Sequence, residues 1–145
     1  MKIPDLARDI FSNEYIINRS YRLGEEKCQA NFDLDDANGY WFLCDGGGWC
    51  FINQGDDVYS CHFGYLPNHL GRKSVKHTLE ALRFIESKGA KRLVGWIALE
   101  AKETTNFLNK LNFKMTQQKS GDFWLNDKRT KIGLYNYEFT DSRCS

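Results

Sequence analysis

The sequence has almost no net charge. Its 145 residues include 20 Lys and Arg against 19 Asp and Glu, which gives a formal charge of +1 with neutral histidines. A chain of this composition has no global field that would draw in nucleic acid or an anionic membrane surface. Its partners must therefore be recognised by local groups of residues.

A long apolar segment is also missing. No apolar run approaches the ~20 residues that a membrane-spanning helix requires. The first residues, MKIPDLARDIF, mix charges into their apolar pattern, which is unlike the core of a signal peptide. We therefore predict a protein that neither enters a membrane nor is exported.

Cysteine pairs with metal-binding spacing do not occur. None of the cysteines forms a C-x-x-C pair, and they are odd in number: Cys28, Cys44, Cys50, Cys61 and Cys144. This pattern favours reduced, mostly buried thiols over disulfides or a metal site. Because reduced thiols are typical of the cytosol, we predict a cytoplasmic protein without a structural metal.

The most informative stretch is residues 57–88, which reads as a strand, a polar turn and a long helix. Residues 58–66 favour a strand, and Pro67 ends it because proline lacks a ladder donor. Apolar residues then recur at the spacing of an amphipathic helix, at Val75, Leu79, Leu82 and Ile85. Gly89 suits a left-handed C-cap, so the helix is predicted over about 70–88.

The flanking segments predict a mixed α/β sheet in a single domain, residues 1–145. A helix is expected over 5–11, and a β-hairpin over 40–44 and 49–53 around Gly46 to Gly48. A strand over 92–97 should run parallel to 58–66, because a right-handed helical crossover joins them. A helix is expected over 101–111, and its buried face would carry Thr104, Phe107, Leu108 and Leu111. A terminal strand is expected over 132–139. Residues 13–39 are poorly patterned.

The start of the long helix has the features of an anion site. A helix N-terminus presents unpaired backbone donors and a partial positive charge, and four basic side chains lie there: His69, Arg72, Lys73 and Lys76. A phosphate is the simplest ligand of such a site. The alternative, that these residues are only solvated surface, stays open at this point.

Three stretches resemble the GNAT acyltransferase superfamily. PNHLGRKSVKHTLEAL looks like its motif A, which cradles the pyrophosphate of acetyl-CoA, and KRLVGWIALEAKETTNFLNKLNFKM is similar to its motif B. CDGGGWCFINQGDDVYSCHFGYLP resembles the preceding strands of short GNAT-like proteins from tailed bacteriophages. The departures are Leu70, Lys73 and Val75 in motif A and Leu108, which stands where the family has a tyrosine.

The resemblance implies a GNAT-like fold whose central parallel strands splay apart to hold the pantetheine arm. It implies acetyl-CoA as acyl donor and a small-molecule or protein amine as acceptor, with the poorly patterned residues 13–39 on the acceptor side. The expected cofactor-binding residues are those at the end of the motif A strand and the start of the helix: Tyr65, Leu66, Leu70, Gly71, Arg72, Lys73, Ser74 and Val75.

His62 is the best catalytic base in this interpretation. It lies on the motif A strand, and an unperturbed histidine titrates close to neutrality. The alternative is a structural histidine within the sheet. Glu100, Tyr135 and Tyr137 are weaker candidates. Cys61 and His62 are adjacent in a strand and point to opposite faces, which excludes a simple Cys/His nucleophile pair.

Two other functions remain open from the sequence. The first is a catalytically degenerate GNAT-fold protein, acting in phage structure, morphogenesis or host interaction, in the host cytoplasm or the virion. The second is a nucleic-acid-binding module that uses the basic residues Arg72, Lys73, Lys76, Arg83 and Lys88. The near-zero net charge weighs against the second of these.

Overall fold

The structure is a computed structural model that describes residues 5–24, 28–29 and 39–139. Its elements follow in chain order: α1 Asp5–Phe11, α2 Glu14–Ile17, β1 Arg22–Leu23, β2 Cys28–Gln29, β3 Gly39–Cys44, β4 Gly47–Gly55, β5 Val58–Tyr65, a 3-10 turn Pro67–His69, α3 Arg72–Ser87, β6 Arg92–Ala98, α4 Lys102–Lys110, β7 Lys114–Lys119, β8 Phe123–Leu125, β9 Lys128–Arg129 and β10 Ile132–Glu138. The predicted mixed α/β class and the predicted order of elements around residues 57–88 are confirmed.

A six-stranded sheet in the order β3-β4-β5-β6-β10-β7 organises the fold. All neighbouring pairs are antiparallel except β5 and β6, which the α3 crossover joins in parallel. The predicted hairpin is β3-β4, although its turn is Asp45 and Gly46, and Gly47 already belongs to β4. A second, small sheet has the order β2-β1-β8-β9.

The two faces of the large sheet carry separate apolar clusters. Helices α3 and α4 cover one face, where Trp49, Phe51 and Leu93 are fully buried against Ile85 and Leu108. Short helices α1 and α2 cover the other face, where Ile10, Phe11 and Ile16 pack on Cys50 and Ile52. Alternation along β4 sends Trp49 and Phe51 to the first cluster and Cys50 and Ile52 to the second.

The buried face of α3 differs from the apolar spacing in its sequence. Leu82 and Ile85 are buried, whereas Val75 and Leu79 are 38% and 43% exposed. Their places against the sheet are taken by Ser74, Thr78 and Ala81. Small residues let the helix approach the sheet closely, and Thr78 is hydrogen-bonded there, so burying its hydroxyl carries no unpaired-group penalty. In α4 the buried residues are Thr105 and Leu108, while Thr104 is only half-buried.

Thr78 closes a buried polar network between α3 and the sheet. The indole Nε1 of Trp49 donates to both Tyr65 Oη, at 2.9 Å, and Thr78 Oγ1, at 3.1 Å. Tyr65 Oη and Thr78 Oγ1 are themselves 2.9 Å apart. The network explains why a threonine, with both a donor and an acceptor, lies in the middle of an apolar cluster.

Replacing Thr78 by valine should destabilise the protein by about 1–3 kcal/mol, because the indole and phenol lose a buried partner without a change in side-chain volume. Urea denaturation measures this loss. Thr116→Val is the matched control, since Thr116 is exposed on β7 and the same substitution there should change the free energy of unfolding by less than about 0.5 kcal/mol. Equal losses in the two variants would contradict the network's role.

Candidate active site

Strands β5 and β6 separate part of the way along their length. They pair in parallel only at Val58 with Arg92, Tyr59 with Leu93 and Ser60 with Val94. Beyond these pairs β5 continues for five residues and β6 for four. The predicted splay of the central parallel strands is therefore confirmed. From Cys61 onward, β5 pairs with no strand of the described residues on its β6 side.

A cavity of about 650 Å³ lies in this opening and reaches both faces of the sheet. Its middle is formed by residues 61–65 of β5 and 94–98 of β6. On the α3 side it is bounded by Leu70, Gly71, Ser74, Thr104 and Phe107. On the opposite side it is bounded by residues of the first two helices and the segment after them: Phe11, Tyr15, Ile16, Arg19, Ser20 and Tyr21.

The N-terminus of α3 borders the first side of the cavity. Gly71 is the N-cap residue at φ +81° and supplies no side-chain hydrogen bond, and no acidic residue occupies the first turn. The backbone amides of Gly71 to Ser74 donate to no carbonyl or side-chain oxygen of the described residues. These four amides and the exposed side chains of Arg72 and Lys73 lie at the same end of the helix, where the backbone carries a partial positive charge.

Two of the predicted cradle residues have amides that are already bonded within the protein. The amide of Leu66 donates to the carbonyl of Gly46 at 2.7 Å, and that of Val75 donates to the carbonyl of Gly71 at 3.1 Å. The amide of Leu70 has a long contact to the Pro67 carbonyl at 3.5 Å. Fewer backbone amides are therefore available to a ligand than the sequence indicated, and the first of them is that of Gly71.

The turn before α3 is held by His69. The Nε2 atom of His69 lies 3.4 Å from the thiol sulfur of Cys44, and its ring stacks on Tyr65 with 6.0 Å between centroids. A Cβ atom at Gly46 would overlap the His69 ring. The glycine after Asp45 therefore leaves room for the histidine that anchors the turn.

The Tyr65 hydroxyl is hydrogen-bonded within the core. It is hydrogen-bonded to Trp49 and Thr78, and it lies 2.9 Å from Nδ1 of His77. Burial raises the pKa of Tyr65, so the phenol stays protonated at neutral pH. What Tyr65 contributes to the cavity is its place at the end of β5.

His62 lies in the cavity wall, on the opposite face of β5 from Cys61. Ser60 and Gln54 line the same region. Burial lowers the pKa of His62 to about 4, because a buried imidazolium loses its hydration. At neutral pH the ring is therefore uncharged, and it is a weaker base here than a solvated imidazole.

The other sequence candidates lie away from the cavity. Leu108 is 1% exposed and belongs to the core. Tyr135 is buried in the same cluster, and Tyr137 packs between Phe113 and Phe139. Glu100 is exposed and does not line the cavity in the described part of the chain.

For the second side of the cavity, the sequence indicated residues 13–39 but singled out no residue among them. Arg19 and Tyr15 are an i, i+4 pair, and the guanidinium carbon lies 3.4 Å from the centre of the Tyr15 ring. Tyr21 packs edge-on against Phe123, and burial raises its pKa. Glu103, from α4, pairs with Arg19 across the cavity mouth. The sequence signal that could have indicated Arg19 is its i, i+4 spacing from Tyr15.

Three observations on the described residues concern cysteines, membrane helices and metal sites. Cys44 and Cys61 are free thiols, and burial raises the pKa of Cys61 to about 12. No described helix is both long enough and apolar enough to cross a bilayer. No described cluster of three or more His, Cys, Asp or Glu side chains is arranged to hold a metal ion.

Neither a protein-family model nor a curated protein sequence matches this chain. Solved structures do match. A Streptococcus mutans UA159 protein, smu.2055, aligns over 95% of this chain and 96% of its own with a TM-score of 0.67 and 13% identity. An acetyltransferase of the GNAT family from Streptococcus pneumoniae covers 71% of this chain and 68% of its own, with a TM-score of 0.60 and 12% identity.

A third similar structure contains the donor that the sequence predicts. It is the microcin C7 self-immunity acetyltransferase MccE in complex with acetyl-CoA and AMP, with a TM-score of 0.54, 16% identity, and coverage of 65% of this chain and 54% of its own. The chain spans 65%, 64% and 60% of the length of three further acetyltransferase structures. At sequence identities this low, structural similarity is evidence for the fold alone. It shows that this chain has the fold of the GNAT acetyltransferases.

Proposed function

We propose that this protein transfers an acyl group, most simply acetyl, from a CoA thioester to an amine. The observation that carries the proposal is the cavity through the splayed strands, which connects the open N-terminus of α3 with His62. A CoA thioester consists of a diphosphate and a long, narrow arm. Its shape matches an anion site at the N-terminus of α3 that is joined to the opening between β5 and β6. The fold shared with acetyltransferases supports the same conclusion.

The residues at the first side of the cavity fit the donor. The amides of Gly71 to Ser74 would bind the diphosphate, and Arg72 and Lys73 would add charge-assisted contacts. Acetyl-CoA supplies the activated acetyl group. The β6-facing edge of β5 from Cys61 onward, which pairs with no described strand, would orient the thioester between β5 and β6.

The transfer requires an amine, a proton acceptor and a proton donor in the same cavity. The amine nitrogen bonds to the acetyl carbon, the carbon–sulfur bond breaks, the amine loses a proton and the CoA sulfur gains one. His62 is the proton acceptor in our proposal, because its imidazole lines the cavity and is uncharged at neutral pH. The raised pKa of Tyr21 keeps a protonated phenol in the cavity wall as a donor.

Calorimetric titration with acetyl-CoA tests the donor assignment directly. We expect micromolar binding that weakens at least tenfold when Arg72→Ala and Lys73→Ala are combined, since two charge-assisted contacts at about 1.5–3 kcal/mol each are lost. The loss should be larger at low ionic strength, where screening is weaker. Lys110→Ala with Lys114→Ala removes the same charge from exposed positions on α4 and β7 and should leave the affinity within about twofold.

Absence of binding at millimolar acetyl-CoA would refute the proposed function. The interpretation as a catalytically degenerate GNAT-fold protein with a structural or host-interaction role would then replace it. Equal weakening in the two double variants would show instead that general charge, and not the α3 N-terminus, attracts the ligand.

A further inference from the structure

The side of the cavity away from α3 has an aromatic wall and two charges. Phe11, Tyr15, Tyr21 and Trp96 line it. Arg19 is the single cation and Glu103, from α4, the single carboxylate among the described lining residues of the whole cavity. This half of the cavity therefore suits a small molecule with an apolar body and few charges.

Arg19 is held in place by three contacts. Its Nη1 donates to the Tyr15 carbonyl at 3.1 Å, its guanidinium lies 3.4 Å from the centre of the Tyr15 ring, and its Nε lies 3.6 Å from Oε2 of Glu103. The side chain is 39% exposed, against 80% for Glu103. A guanidinium fixed in this way loses little conformational freedom when it binds a ligand.

The contacts leave part of the guanidinium open. The second Nη1 hydrogen and both Nη2 hydrogens find no acceptor among the described residues. These hydrogens match the paired oxygens of a planar carboxylate. Glu103 contacts Nε and is mostly solvated, so it does not occupy this edge.

The balance of charge distinguishes between classes of amine. The described lining residues sum to zero formal charge, because Arg19 and Glu103 cancel and His62 is neutral. A zwitterionic acceptor can bind in such a cavity without adding net charge. A polyamine would place several cations there, and the single lining carboxylate is already paired with Arg19. Burying unpaired cations is costly, so the lining disfavours the polyamine.

We propose that the acceptor is a small amine that also carries a carboxylate on an apolar or aromatic body, as a free amino acid does, and that Arg19 binds this carboxylate. The inference rests on the proposed acyl transfer and names its substrate class. The apolar body packs on Tyr15, Tyr21 and Trp96, and the amine points toward the splayed strands. Arg19 is thereby a specificity residue for the acceptor.

Paired amines test the inference with the purified full chain and acetyl-CoA, by release of the CoA thiol. The pairs are L-phenylalanine with phenethylamine and L-leucine with isoamylamine, which differ only in the carboxylate; spermidine represents the polycations. We expect kcat/KM to be at least tenfold higher for the amino acid of a pair. Arg19→Gln should raise KM for that amino acid at least tenfold with little change in kcat, because the contact is made by ground state and transition state alike.

Two further variants make the result specific. Glu103→Gln should change KM for the amino acid by less than about twofold, because Arg19 keeps both of its contacts with Tyr15. Arg83→Gln, on the exposed surface of α3, removes an arginine elsewhere and should leave KM unchanged. The acetyl-CoA affinity of every variant is measured alongside, which separates loss of the acceptor site from loss of the donor site.

Several outcomes would overturn the inference while acetyl-CoA still binds. These are equal turnover of the two members of each pair, preference for spermidine, loss of turnover in Glu103→Gln, or no turnover of any amine in the panel. Failure of acetyl-CoA to bind would overturn the proposed function itself, and the inference with it.

Discussion

Gly71→Glu should weaken acetyl-CoA binding by at least about 100-fold, because a carboxylate about 4 Å from a phosphate costs several kcal/mol near a protein surface. Gly71 is the N-cap of α3, and no atom lies within 4 Å of the Cβ position that a side chain would add there. The new side chain therefore extends into open space beside the amides that would hold the diphosphate. Calorimetry at two salt concentrations measures the effect.

Gly89→Glu is the matched control for this change. Gly89 lies just after the other end of α3, also with a positive φ, +96° against +81° at Gly71, and also with open space around its Cβ position. Each variant pays a similar backbone cost for a non-glycine residue in the left-handed region. The helix dipole favours the acid at position 71 and disfavours it at 89. A binding loss confined to Gly71→Glu therefore cannot come from instability, and equal binding by both variants would refute the cradle.

The parts of the fold that the sequence predicts well are those fixed by local chemistry. Pro67 ends β5, and Gly89 and Asn112 have the positive φ that the C-caps after α3 and α4 require. These residues act within a few positions of themselves, so strand, helix and crossover can be inferred without knowing any distant contact. The splay of β5 from β6 follows from the family resemblance and not from any single residue.

The parts that the sequence does not predict depend on contacts between distant segments. Apolar spacing favours Val75 and Leu79 for the buried face of α3, yet the bonds from Trp49 and Tyr65 bring Thr78 there instead. The second side of the cavity is a similar case, because Arg19 there pairs with Glu103 from α4, far along the chain. No sequence pattern predicts the contact of Thr78 with Trp49 or that of Arg19 with Glu103. Each contact joins elements that only the folded structure brings together.

His62→Gln should lower turnover by about 100-fold or more while leaving acetyl-CoA affinity nearly unchanged, because glutamine cannot accept the proton of the amine. The pH dependence adds a sharper criterion. Burial lowers the pKa of His62 to about 4, so the ring stays neutral, and competent as a base, well below the usual histidine range. The turnover of the parent relative to the variant should therefore be constant between pH 7 and 5 and fall only as the pH approaches about 4. Taking the ratio at each pH cancels the titration of the acceptor amine.

Stability must be followed over the same range, because the lowered pKa also couples folding to pH. The unfolded chain binds a proton at His62 near pH 6.5 and the folded chain only near 4, so acidification through this window favours unfolding. The parent should lose stability there, and His62→Gln should lose less. His77→Gln is the control for removing a histidine outside the cavity; its ring lies against Tyr65 and Phe42. A turnover ratio that already falls near pH 6.5, or losses of turnover and stability that match in His62→Gln, would assign His62 to the structure of the sheet and not to the reaction.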